Sequence, residues 1–162
     1  MEHRKQKMKI QYINPFVTAS FSVIESVLGV KVEKGQLAMR PSLFTSQQCN
    51  ILTGVTGSIH GQVIYGMTLT TADKVASMML GQTIRTFDQL AASAIAELGN
   101  MITGNASTLL TDAGFACDIT PPSVVRGTNL KMSTLDIPAL VVPLCMEIGE
   151  IELTVCLTEN RA

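Results

Sequence analysis

The stretch SAIAELGNMITGNAS, residues 93–107, decides how the chain is read. Apolar residues at helical spacing make it the middle of a helix, yet it carries two glycines, two asparagines and one carboxylate. An interior Gly costs a helix about 1 kcal/mol relative to Ala, and Asn is a middling helix former. On a wheel of about 100° per residue, Ala91, Ile95, Leu98, Ile102, Ala106 and Leu109 gather on one side as a core stripe. Ser93, Glu97, Asn100, Gly104, Ser107 and Thr111 gather on the other. Glu97 and Asn100, three apart, bring their Cβ atoms within about 5–6 Å. Gly104, one turn on, leaves the backbone bare. Solvated helix faces usually carry Lys, Glu and Arg in i,i+4 pairs, whereas Glu97 is the one charge between residues 89 and 111. The polar stripe therefore reads as a docking surface on an exposed helix. The competing reading, a core-facing helix without activity, requires that stripe to be buried. Asn105 falls about 80° round from Glu97, where it is expected to satisfy a buried backbone group. Gly99 is expected to mark close packing of another helix.

Outward from this helix, Asp88 is a natural N-cap and Gly114 a natural stop. Upstream, Asn14-Pro15 reads as a helix start; Val17, Phe21, Ile24 and Leu28 follow at helical steps, and Gly29 ends the pattern. VKVEKGQLAMRP (30–41) reads as a strand that Gly35 turns or bulges, and CNILTGVTGS (49–58) with HGQVIYGMTL (60–69) as two strands joined by a Gly-rich turn. TADKVASMMLG (71–81) reads as a short helix capped by Thr70 or Thr71, with Val75, Met78 and Met79 as its apolar face. After the long helix, ACDITPPSVV (116–125) is a strand interrupted by prolines. ALVVPLCMEIGEIELTVCL (139–157) is a hairpin turning near Gly149. There Ile151, Leu153, Val155 and Leu157 alternate with Glu152, Thr154 and Cys156, predicting one buried face. The order αβββααβββ, dominated by hairpins, predicts an α+β fold with a mostly antiparallel sheet and long helices on one face. Residues 1–162 read as one domain, with 1–9 as a loosely ordered lead-in.

Composition narrows the function classes. The chain is 46% hydrophobic, 15% charged and 4% aromatic, with no Trp. Its mean hydropathy of +0.31 is high, but the longest strongly apolar run, IPALVVPLCM (137–146), is far short of a membrane span. A sheet plus a buried self-association surface accounts for the hydropathy. The N-terminus lacks the apolar core of a secretory signal. Cys49, Cys117, Cys145 and Cys156 form no CxxC pair and read as reduced thiols of a cytoplasmic protein. A net charge of −1 offers no field for nucleic acid. His3 and His60 are too few and too far apart for a metal centre or a Ser-His-Asp arrangement. GVTGSIHG (54–61) has no following Lys or helix start and is no phosphate cradle. No second acid lies within eight residues of Glu97, so paired-carboxylate chemistry is missing.

One acid with one amide serves acid–base catalysis poorly, because an amide does not titrate. It suits phosphoryl hydrolysis better, where positioning the attacking water matters more than deprotonating it. A carboxamide can accept from that water and donate to a phosphoryl oxygen. An exposed Glu repels phosphate but can pair with a lysine beside it. The pair makes sense if phosphate, metal and lysine belong to another protein.

At this point the chain resembles a known family. Ser93-x3-Glu97-x2-Asn100, continuing as ELGNMITGNASTLL and followed by PPSVV, is similar to the motif of the CheC/FliY/CheX chemotaxis phosphatases. The single copy of the motif and the GNAS continuation resemble the CheX branch. Weaker similarity in GSIHGQVIYGM (57–67), TADKVASMMLG (71–81) and GEIELTVCL (149–157) extends it over most of residues 15–158. The resemblance implies an α+β sheet with the motif on an exposed long helix, a homodimer, and hydrolysis of the aspartyl phosphate of the response regulator CheY. No cofactor is implied on this chain; Mg²⁺ is expected on the regulator. By the resemblance Asn100 positions the hydrolytic water, Glu97 pairs with the regulator's lysine, and Ser93 holds the motif's leading position. Gly104 and Ser107 complete the docking stripe. Pro122 corresponds to a structurally important downstream proline, one residue nearer than in the family pattern, as a shorter loop would give. The alternative is a non-catalytic dimeric module that captures a regulator or sits in a flagellar switch.

Overall fold

The computed structural model describes residues 10–134, 137 and 139–160, so the expected lead-in at 1–9 lies outside the described residues. Three helices lie against an antiparallel sheet, as the α+β expectation has it. Helix α1 (Ile10–Leu28) ends where Gly29, at φ 67°, turns its N–H back to the Glu25 carbonyl. Strands β1 (Glu33–Lys34), β2 (Ala38–Arg40), β3 (Leu43–Thr45), β4 (Cys49–Gly57) and β5 (Ile59–Met67) follow. Helices α2 (Leu69–Leu80) and α3 (Gln89–Asp112) come next, then β6 (Cys117–Ile119), β7 (Ser123–Arg126), β8 (Lys131–Ser133), β9 (Ala139–Met146) and β10 (Gly149–Glu159). The main sheet runs β1-β9-β10-β5-β4-β6, with β2 also on β9 and β7 also on β4.

Each group of strands thus holds five segments rather than the expected three. Two of the extra breaks are bulges. Lys34 opposes Leu144 while Ala38 opposes Val141, so three residues face two across the gap at Gly35. Likewise Val55 opposes Ile119 while Leu52 opposes Ser123, which puts one extra residue at Thr120-Pro121-Pro122. Proline donates nothing to a ladder, so the pair sits on an edge strand. Gly54 opposite accommodates the break: a Cβ there would meet Thr120 Oγ1 at 2.9 Å, and its N–H donates to that oxygen at 2.8 Å.

The other addition, the β3–β8 pair, lies on the sheet face away from the helices. Its Met132 and Ser133 enclose a small cavity of about 120 Å³ with Leu52, Thr53, Gln62 and Ile64. This corrects the expectation of one buried face on β10. Thr154 and Cys156 are as buried as Leu153 and Val155, and the Cys156 thiol donates to the Ile137 carbonyl. Three further corrections concern helices. Pro15 lies inside α1, not at its start; the carbonyl it leaves unpaired belongs to Gln11, which is exposed to water. Helix α2 is capped by Thr68, whose hydroxyl accepts from the Thr71 N–H, and it buries Thr71, Ala72, Val75 and Ala76 while Met78 is exposed. On α3 the stripe closes on Leu110 rather than Leu109, because the side turned toward β4 and β6 stays covered to the helix end.

Candidate functional site

Helix α3 is held by its inner side. The Asp88 carboxylate accepts from the Ala91 N–H at 2.9 Å and fixes its first turn. Ile95, Leu98, Ile102, Ala106 and Leu110 are fully buried. Gly99 packs on a strand, not on another helix: a Cβ there would sit 2.5 Å from Ile51 Cγ2 of β4. Thr103, also buried, shares a 2.8 Å hydrogen bond with the Tyr65 hydroxyl and lies 3.4 Å from Thr53 Oγ1, which donates to the Val63 carbonyl at 3.0 Å. Burial drives the Tyr65 phenol far above its ordinary pKa, so it stays a neutral hydrogen-bonding group. This hydroxyl chain fixes the rotation of α3 on β4 and β5.

With the inner side fixed, the outer side is determined. Ser93 and Glu97 are exposed, and Asn100, Gly104 and Ser107 are half-buried. Among the described residues the Glu97 and Asn100 side chains have no hydrogen-bond or ion-pair partner. A Cβ on Gly104 would find only Ile119 Cδ1, at 4.0 Å. The polar stripe is therefore not a core feature, and the reading of α3 as a buried inactive helix is excluded.

The stripe is bounded by β6. Ser107 lies beside the Cys117 thiol of β6. Burial raises the Cys117 pKa, the Ser107 hydroxyl works against that, and the nearby Asp118 adds to it. Pro122 is half-buried in the bulge that follows β6. Asn105 departs from expectation: it is exposed and satisfies no buried backbone group. The cover that buries Leu98 on that flank does not reach about two turns further along.

At the other end of α3, Arg126 of β7 braces the approach. Its guanidinium lies 3.7 Å from the Phe87 ring centroid and 3.4 Å from Asp73 of α2. Cys49 lies beside it; burial raises that thiol's pKa, and Arg126 partly offsets the rise. Leu90, just beyond, was not singled out in the sequence, yet it is 54% exposed. It lies seven residues before Glu97, hence within about 20° on the same face; the helical wheel already held that signal. Among the described residues no three His, Cys, Asp or Glu side chains are grouped to hold a metal ion, and no helix is long and apolar enough to cross a membrane.

The chain is similar to known proteins in sequence and in fold. Residues 50–145 match the family described as chemotaxis phosphatase CheX. The chain is 34% identical over 131 residues to the CheY-P phosphatase CheX of Thermotoga maritima, covering 80% of this chain and 84% of that protein. The crystal structure of a chemotaxis protein CheX from Desulfovibrio desulfuricans superposes with a TM-score of 0.83 at 28% identity, over 91% of this chain and 99% of that one. A Borrelia burgdorferi CheX–CheY complex with BeF3 and Mg²⁺ gives a TM-score of 0.80 at 34% identity, over 93% and 100% of the two chains. The shared fold, the extent of the match and the motif on α3 lead to one assignment: the chain belongs to the CheX family of chemotaxis phosphatases.

Proposed function

We propose that this chain accelerates hydrolysis of the aspartyl phosphate on a CheY-type response regulator, ending a chemotaxis signal in the cytoplasm. The observation that carries the reading is a pair of side chains, Glu97 and Asn100, turned outward on one helix face and engaged by nothing else in the described chain. In this reading the phosphoryl group and its Mg²⁺ arrive with the regulator, and the Asn100 amide enters beside them. Its oxygen accepts from a water and its NH₂ donates to a phosphoryl oxygen, lining the water up opposite the aspartyl oxygen. The water forms the new P–O bond and the aspartyl P–O bond breaks. The products are inorganic phosphate and the free regulator carboxylate. Because the transition state is largely dissociative, positioning supplies most of the acceleration. Glu97 pairs with the regulator's lysine and sets the approach. Ser93 and Gly104 allow close contact, Ser107 borders it, and Pro122 shapes the neighbouring edge. The reading includes one domain over residues 1–162 and a homodimer, for which Leu37, Met39 and Leu43, exposed on and beside edge strand β2, supply apolar surface.

The test is the lifetime of the phosphorylated regulator with substoichiometric protein. Wild type shortens it catalytically, and Glu97→Ala weakens binding and rate together. A lifetime unchanged by wild type, with binding retained, would make the chain a capture module instead.

A further inference from the structure

We infer that Leu90 and the groove beside it form a second contact for the regulator, separate from the Glu97–Asn100 pair; the inference rests on the phosphatase reading above. The groove, about 320 Å³, runs between the α2–α3 loop and the first turn of α3 and is lined by Leu80, Ile84, Arg85, Asp88 and Leu90 among others. Leu90 stands 54% exposed and takes no part in the core cluster. It shares the helix face of Glu97 two turns away, about 10 Å along the axis. A partner seated on Glu97, Asn100 and Gly104 that extends toward the helix N-terminus meets Leu90 next.

Charge selects the regulator as that partner. Arg85 is exposed at the groove lip and has no ion pair among the described residues. A site that holds Mg²⁺ is built from oxygen ligands, largely carboxylates. A phosphorylated regulator therefore carries concentrated negative charge around its phosphoryl site, to which the Arg85 guanidinium is complementary at longer range, while the Asp88 carboxylate in the same groove is occupied by the Ala91 N–H. Phe87, under Arg126, holds the loop that forms the opposite wall, so the groove does not have to be assembled on binding.

The experiment uses a CheY-type regulator loaded with BeF3 and Mg²⁺ for affinity, and the phosphorylated regulator for turnover. Leu90→Gln and Arg85→Gln are compared with wild type and Asn100→Ala, each checked by thermal melting. Leu90→Gln should raise Kd and the half-saturating concentration about fivefold to tenfold, as expected for losing half a leucine's burial. The rate at saturation should stay within about twofold of wild type. Arg85→Gln should weaken binding mainly at low salt. Asn100→Ala should do the reverse, with turnover lost and Kd nearly kept. Unchanged Kd in Leu90→Gln would overturn the inference and leave the phosphatase reading standing. A weakened Kd with no turnover by wild type would uphold the contact and reject the phosphatase. A Leu90→Gln effect on the oligomeric state of the protein alone would assign the groove to a second copy and overturn the inference, as would wild type that binds no regulator.

Discussion

Gly99 and Gly104 lie five residues apart on the same helix, and each removes a side chain for a different reason. Gly99 faces inward, where a Cβ would press to 2.5 Å from Ile51 Cγ2. Ile51 is β-branched and buried, so it cannot swing away; the fold requires this glycine. Gly104 faces outward, where the nearest atom to an added Cβ is 4.0 Å away. Nothing in the described chain requires it, and it costs helix stability. The same contrast separates Thr103, whose hydroxyl is enclosed between Tyr65 and Thr53, from Ser93, which is exposed. The inner side of α3 is constrained by packing. The outer side carries residues that only a partner outside the chain explains.

Substitutions that swap these constraints test the contrast. The largest stability effect is expected from Thr103→Val, which strands the buried Tyr65 hydroxyl. The cost is about 1–3 kcal/mol in urea unfolding, against less than about 0.5 kcal/mol for Ser93→Ala. Next comes Gly99→Ala. Overpacking against Ile51 costs about 1–3 kcal/mol and the helix recovers about 1, so a net loss near 1 kcal/mol is expected, with α3 pushed off β4. A stabilised Gly99→Ala would break the distinction between the two glycines. The smallest effect has the opposite sign: Gly104→Ala should stabilise the fold by about 0.5–1 kcal/mol while weakening regulator binding in titration. A variant that is more stable and binds less well is the signature of a residue kept for a partner.

Much of this was legible in the sequence because local chemistry decided it. Asp88, Gly29, Gly114 and the hairpin at Gly149 are local signals, and all of them hold. The outward placement of Ser93, Glu97, Asn100 and Gly104 followed from period alone. What escaped depends on residues distant in sequence. The three-residue strands β3 and β8 show no periodicity, and each exists because the other is there. Residues 132 and 133 of β8 lie against the neighbouring strands β4 and β5, and the Cys156 thiol reaches the Ile137 carbonyl, so Thr154 and Cys156 are buried despite clean alternation. Asn14-Pro15 locally favours a helix start, while the packing of Tyr12 and Ile13 carries the helix through it. Leu109 and Leu110 lie about 100° apart, on opposite flanks of the core stripe, and the strand beside α3 covers only the Leu110 flank at that end. Asn105 and Met78 fell on the wrong side for the same reason: a wheel gives directions but not the extent of the neighbours.

Asn100→Ala, measured for stability and catalysis on one preparation, bears most directly on the claim that the outer side of α3 acts on a partner while the inner side maintains the fold. The thermal midpoint should be unchanged or slightly raised, since Ala is the better helix former, while the acceleration of phosphoryl loss falls on the order of 100-fold. Retained acceleration, or a loss matched by unfolding, would contradict it.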